Sequence, residues 1–562
     1  MFKFVKRHWA KVTYLAFFFL ILLSNTFHEQ YTDEFDNILG GKLILQGILP
    51  YSGFFSHHGP VAYFLSAIIY LFSGQSFVKF RIIYSIFLFL YSLGIYKYLK
   101  RSVGKIETKF YLIFLLIWGI AATYFWNHML IADNLSALLI VPTIILLILK
   151  VLYKKSITRS DLIFVSILSS LALLTALTTA YLVCFVYLFT LYFYLKGIDF
   201  KIAKKNIIPF FVIMAIPYVI FALYLLATRS FQDYIYQNII LNEKYYIYNA
   251  PISPSGFINP VRYAIVIFHN FYYSFTSLLY QVKDFNFGFP FNITLAISNV
   301  ALIIYFILRR QYALSIFFLM MLVYSNARSS PLDSSEKDYQ DAVYILMSLF
   351  SMCFFVIKVF NDFKNEVDYR GKLILSSLFI LVGIYSLFTL MFLYGRYQEK
   401  VYTKYMGTAS LIYDRPELAP IINKALGPND YVWIGPIDFK DYIYTNAKIA
   451  SRYQFLIPAM GRSGKVVPEL ISGLKKNQPK LIFFDKNYSV LGSNPQDYAK
   501  LFVEYLNTNY ITLYGYENNK YITTVPVSPT VDLETKMYIN KADINDVLAK
   551  LISVGLVKQA SK

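Results

Sequence analysis

Long apolar stretches separated by short polar ones dominate the first 394 residues. They occupy about 12–27, 80–96, 110–126, 130–149, 162–178, 180–195, 207–227, 287–308, 312–325, 341–357 and 373–394. Helices of roughly this length match a hydrocarbon core of about 30 Å. The run from Leu162 to Leu195 carries no charge over 34 residues. As one helix it would be about 51 Å long, so the pattern predicts a turn-back near Thr178-Thr179 and two short spans.

Two further apolar segments are expected not to span. The segment 59–74 is only 16 residues long and opens on Gly59-Pro60. If it crossed the membrane, the connections 97–109, 150–161, 196–205, 309–310 and 358–372 would all fall outside, with 19 Lys and Arg among them. If it lies in the interface, all 19 fall inside with the four of the N-terminus. The bias of Lys and Arg toward the cytoplasm selects the second arrangement. The segment 260–281, with Arg262, His269 and Asn270, reads as amphipathic. The expected topology is 11 spans with the N-terminus inside and the C-terminus outside. No small-x-small cleavage site follows the first span, which therefore reads as an uncleaved helix.

Beyond residue 394 the pattern changes. Pro, Gly, Asn and charges recur throughout 395–562, and Tyr431–Ile434, Lys480–Phe484, Ile511–Tyr514 and Tyr521–Val525 read as strands. Stretches 416–426, 466–476, 496–507 and 542–557 read as helices, giving a small extracytoplasmic α/β domain. The expected organisation is a transmembrane domain over 1–394 and this second domain over 395–562.

Composition sharpens the class. Apolar residues make up 57% of the 562 and charged residues 15%, against roughly a quarter in a soluble chain. The net charge of +20 is carried by the inner connections, so it points to a membrane protein and not to a nucleic-acid partner. Cys184 and Cys353 both lie in apolar segments, which excludes a disulfide framework and a zinc finger. There is no Gly-rich phosphate loop and no HExxH.

Candidate chemistry gathers in the first long loop. Asp33, Glu34 and Asp36 follow the first span, and an acid at the mouth of a helix bundle can serve as a general base. Asp33-Glu34-Phe35-Asp36 is also a weak match to a DxD metal site. Asp133, with Asn134, opens the fourth span, as a functional acid or as a helix cap. Arg81, Arg328 and Lys337 are scarce outward cations suited to a phosphate, and Tyr339 closes the loop that carries the last two. Adjacent His57 and His58 are a weak metal signal but can contact substrate.

In order and spacing these residues resemble the first loop of the GT-C glycosyltransferases, particularly the protein O-mannosyltransferases and the bacterial 4-amino-4-deoxy-L-arabinose lipid A transferase. The segments that carry the likeness are Asp33-Glu34, Gly47-Ile48-Leu49-Pro50-Tyr51, His57-His58-Gly59-Pro60, Leu71-Phe72-Ser73-Gly74 and Arg81. Ser451-Arg452-Tyr453 is similar to an SRY segment of bacterial members. Two positions depart from the family pattern: Thr178-Thr179, where many relatives have Lys after Thr, and His57-His58, where the lipid A enzyme has an acid and a Lys.

The resemblance implies a GT-C-like polytopic α-helical fold with interfacial helices and an extracytoplasmic α/β domain in the plasma (inner) membrane. It implies transfer, with inversion, of a sugar from a polyprenyl-phosphate donor to a hydroxyl of a glycan, lipid or protein acceptor. Asp33 would be the base, Glu34 and Asp133 would orient it or the sugar, and His57, His58, Arg81, Arg328, Lys337, Tyr339 and Arg452 would bind substrate. No nucleotide and no obligatory metal is implied, the lipid-phosphate sugar being the donor substrate. A polytopic transporter or flippase of a lipid-linked substrate is the competing reading. Against it stand charges gathered at the outer surface and the lack of paired broken helices. A structural scaffold of the envelope, in which Asp33 is dispensable, is a third.

Overall fold

A computed structural model describes residues 2–28, 30–104, 109–196, 200–246, 260–280, 289–326, 339–359, 391, 395, 416–515, 521–524 and 533–559. Among these, seven helices are long and apolar enough to cross a membrane: Trp9–Phe27, Phe77–Ser102, Ala132–Leu152, Leu177–Leu195, Asn206–Ala227, Phe291–Leu308 and Tyr339–Ile357. Their burial differs in a telling way. Ala132–Leu152 is almost wholly buried and is apolar on every side, so it forms the centre of the bundle. Asn206–Ala227 instead exposes Ile208, Phe211, Val212, Ile216, Val219, Ile220, Leu223 and Leu226. A continuous apolar face of that size is not sustained in water and fits a lipid surroundings.

Three of the eleven expected spans are shorter helices among the described residues. The run 110–126 yields a helix only over Lys109–Ala121, because the chain turns from Ala122 onward through Asn127 and His128. Arg159–Leu173 and Tyr312–Tyr324 are likewise 15 and 13 residues. Thirteen residues make about 20 Å, short of a full hydrocarbon core. The uncharged 34-residue run does fold back, through 174–179, into Arg159–Leu173 and Ala180–Leu195. Of the expected span 373–394 only Met391 is among the described residues.

The first loop is built from two helices, Thr32–Leu45 and Val61–Ser73, packed against each other. Val61–Ser73 has 13 residues and is not among the seven long apolar helices. Glycines set their approach. A Cβ on Gly40 would lie 2.1 Å from the Tyr63 ring, and one on Gly41 2.6 Å from the Ser66 backbone. Farther on, Gly59 donates its N–H to Thr175 O at 3.1 Å, and a Cβ there would lie 1.9 Å from Leu174 O. The loop is thereby seated on the turn between two membrane helices.

The C-terminal region holds a five-stranded sheet in the order Lys448–Ile449, Tyr431–Gly435, Leu481–Phe484, Met537–Asn540, Tyr510–Thr512. The first three strands are parallel, and Met537–Asn540 runs antiparallel to both its neighbours. Leu481–Phe484 is buried along its whole length, the usual state of a central strand covered on both faces. Its apolar core is continuous with that of the membrane helices.

Gly59→Ala forces a methyl against fixed backbone and is expected to cost about 1–3 kcal/mol. Gly94→Ala, where a Cβ meets nothing within 4 Å, serves as the control. In detergent, the melting midpoint of Gly59→Ala should fall by several degrees while that of Gly94→Ala holds.

Candidate functional site

Among the described residues, Glu34 of the first loop and Arg81 of the Phe77–Ser102 helix form the most deeply buried ion pair. Glu34 is 0% exposed and Arg81 1%, and Arg81 Nη2 donates to Glu34 Oε2 at 2.6 Å, with Nε to Oε1 at 3.1 Å. The same guanidinium donates through Nη1 to Thr26 O at 3.1 Å and His28 O at 2.6 Å. It stacks on Phe77 at 4.6 Å. The fork geometry of arginine suits this bidentate and multi-carbonyl role. Arg81, expected to meet a phosphate, is therefore committed to holding the end of the first span against the start of the Thr32–Leu45 helix.

Asp33 and Asp36 lie one turn apart on that helix, so both fall near one face. Asp33 is half-buried and is the most exposed of the three acids. Asp36 is 5% exposed and accepts from Tyr63 Oη at 2.7 Å; Tyr63 in turn accepts from Ser56 Oγ at 2.8 Å. Burial pushes the Asp36 carboxyl up to about 7; Tyr63 and Gln454 draw it back, and the neighbouring Asp33 charge adds to the rise. Near neutral pH the helix thus carries one acid paired with arginine, one that retains its proton part of the time, and one at the surface. In the sequence Asp36 is one of the acids after the first span and part of a weak metal motif, with no role of its own. Its spacing of three from Asp33 was the signal available.

Asp133 occupies the first turn of the central helix, 8% exposed, and accepts from Thr178 Oγ1 at 3.5 Å. Asn37 bridges the two elements, donating Nδ2 to Asp33 O and to Leu130 O, both at 2.9 Å. The structure thus brings the start of the central helix to the helix that carries Asp33. An aromatic cluster of Tyr31, Trp126 and Tyr339 lies between them, with ring centroids 5.1, 5.4 and 6.0 Å apart.

The C-terminal region closes on the same loop. Lys42, 9% exposed, donates Nζ to Tyr442 O, Ile443 O and Thr445 O at 2.8, 3.1 and 2.7 Å. It caps the C-terminal end of the Phe439–Tyr444 helix, where unpaired carbonyls favour a cation. Burial pulls the Lys42 ammonium down to about 8. Phe55 N donates to Arg452 O at 2.7 Å, and Gln454 Nε2 donates to Phe55 O at 2.8 Å. Arg452 itself pairs with Asp233 at 3.1 Å and Glu469 at 2.5 Å. Arg452, expected to bind substrate, is engaged in this docking network.

His57 and His58 sit in the same seam, 4.1 Å apart between ring centroids, with His57 stacked on Tyr246 and Phe55 and edge-on to Phe455. Among the described residues no three His, Cys, Asp or Glu side chains gather in a way that would hold a metal. Arg328 and Lys337 lie outside the described residues.

For Asp36, whose folded value of about 7 stands above the usual 3.8, the folded state holds the extra proton. Its contribution to stability is full below about pH 4, is lost as pH rises to 7, and is constant above. Asp36→Asn should remove this slope: its melting midpoint should gain on the wild type between pH 4 and 7, read by thermal unfolding in detergent. Parallel profiles would show that Asp36 ionises freely.

Compared with known proteins, the chain matches no family model, no curated protein and no solved structure.

Proposed function

We propose that this protein is a membrane glycosyltransferase of GT-C-like architecture. It moves a sugar from a polyprenyl-phosphate donor to an acceptor hydroxyl on the outer face of the plasma membrane, with Asp33 as general base. The observation that carries the reading is the differentiation of the three acids on the Thr32–Leu45 helix. Glu34 is bound to Arg81, Asp36 is buried against Tyr63, and Asp33 alone stands half-exposed at the mouth of the bundle. Neighbouring carboxyls driven into different environments are a mark of acid–base sites.

In the reaction Asp33 accepts the proton of the acceptor hydroxyl. The acceptor oxygen forms the new bond to the anomeric carbon from the face opposite the phosphate. The bond from that carbon to the phosphate oxygen breaks, and the electron pair leaves with the lipid phosphate. That leaving group is a stable anion and needs positive charge more than a proton. With Arg81 committed to Glu34, Arg328 and Lys337 are the candidates for this charge. The C-terminal region, fastened to the loop by Lys42 and Gln454, roofs the groove and meets the acceptor.

The test is transfer by the purified protein from radiolabelled polyprenyl-phosphate sugars to a pool of membrane and wall acceptors. Wild type should release label from the lipid, and Asp33→Asn should lose at least about 100-fold in rate, the lower end for a general base, while eluting as a folded protein. Equal activity in Asp33→Asn removes Asp33 as base. Intact donors across the panel, with label crossing sealed vesicles, would favour a transporter.

A further inference from the structure

We infer that the Tyr31–Trp126–Tyr339 cluster and the cavity beside Asp133 together form the seat of the transferred sugar, an inference that rests on the transferase reading. Two separate features point to it. The first is backbone conformation. Trp126 has φ +58°, in the left-handed region that bulky side chains avoid. Asn134 Nδ2 holds it there by donating to Trp126 O at 2.7 Å. Strain of this kind persists where surrounding structure enforces it, and it concentrates at ligand sites. The indole so placed packs against the small apolar cluster of Met129, Ile131 and Tyr339, as Tyr31 does, yet both rings stay only half-buried and keep ring surface two residues from Asp33.

The second feature is the cavity. It measures about 20 Å³ and is lined by the polar Asp133, Thr178, Thr179, Ser325 and Gln340 together with Leu182, Tyr324 and Val343. Each end of the aromatic cluster is one residue from it: Tyr339 precedes Gln340, and Asn134, which fixes Trp126, follows Asp133. The room suffices for one water-sized group. A carboxylate, hydroxyls and a carboxamide in so small a space suit a single hydrogen-bonding substituent.

A sugar is the ligand with both halves of this chemistry. Its ring offers an apolar C–H face to the aromatic surface, and its substituents need polar partners that fix orientation. An isoprenoid tail offers no hydrogen-bonding group to the Asp133 carboxylate and the hydroxyls that line the cavity beside Leu182 and Val343. The ring therefore lies over Tyr31 and Trp126 with its anomeric carbon toward Asp33, and one hydroxyl-bearing substituent enters the Asp133 cavity and selects among sugars.

The test measures transfer kinetics and direct binding side by side. Trp126→Ala should raise the donor KM about tenfold for every sugar, with kcat changed little, and Trp126→Phe should restore most of the loss. Thr178→Val, which removes a cavity hydroxyl, should instead change the rank order of kcat/KM among donors bearing different sugars. In parallel, tryptophan fluorescence is titrated with polyprenyl phosphate carrying a sugar and with bare polyprenyl phosphate. The glycosylated lipid alone should quench the wild type, and Trp126→Phe should abolish the quench. Unchanged KM in Trp126→Ala, or an unchanged rank order in Thr178→Val, overturns the seat while transfer stands. A sugar-dependent quench at Trp126 in a protein that transfers nothing keeps the seat and overturns the transferase reading. An equal quench by the bare lipid overturns the seat.

Discussion

A fully buried pair of opposite charges, Glu34 and Arg81, is the constraint on which the first loop depends. Taking two ions out of water costs several kcal/mol each, repaid only when geometry and hydrogen bonding are nearly complete. Here the guanidinium meets both carboxylate oxygens and the carbonyls of Thr26 and His28. That arrangement exists in one register only. It joins the end of the first membrane helix, the start of the Thr32–Leu45 helix and the start of the Phe77–Ser102 helix. Asp33 precedes Glu34, so fixing Glu34 inward leaves Asp33 half-exposed. In the proposed reaction, the position of the base is a consequence of where its neighbour is buried.

The other end of the same helix is fixed by a different device. Lys42 inserts its ammonium among three carbonyls at the end of the Phe439–Tyr444 helix, and Phe55 exchanges hydrogen bonds with Arg452 and Gln454. The helix with the acids is thus held by the membrane bundle at its start and by the C-terminal sheet region near its end. Gly40, Gly41 and Gly59 remove the side chains that would keep its partners apart. Gln454 also bears on Asp36, so the protonation of a loop acid is coupled to the docked C-terminal region.

What was legible in the sequence was what local pattern encodes. Apolar runs marked the helices, and the uncharged stretch from Leu162 to Leu195 betrayed its own fold-back. In the C-terminal region Tyr431–Gly435, Leu481–Phe484, Tyr510–Thr512 and Tyr521–Thr523 were each marked by short β-rich runs, whereas the two-residue strand Lys448–Ile449 carries too little pattern to be read. The cluster of Asp33, Glu34 and Asp36 stood out as acids beside a membrane span. What was not legible depends on distant partners. Arg81 lies 47 residues from Glu34, and the carbonyls that hold Lys42 lie about 400 residues away, so neither commitment has a local signature. The altered acidity of Asp36 comes from burial, which outweighs the opposing hydrogen bonds of Tyr63 and Gln454, and the left-handed Trp126 from a hydrogen bond with Asn134. Helix length is not legible where the chain turns inside an apolar run, as it does after Ala121, five residues before that run stops at Trp126.

The most direct test of this account is a double-mutant cycle across the buried pair, using Glu34→Gln, Arg81→Met and the double variant, with melting midpoints measured in detergent. Each single variant strands a polar or charged partner and should cost about 3–5 kcal/mol, whereas the double variant should cost far less than the sum of the two. Shifts that simply add would mean that Glu34 and Arg81 act independently, and that the loop, with Asp33 at its start, is held by something else.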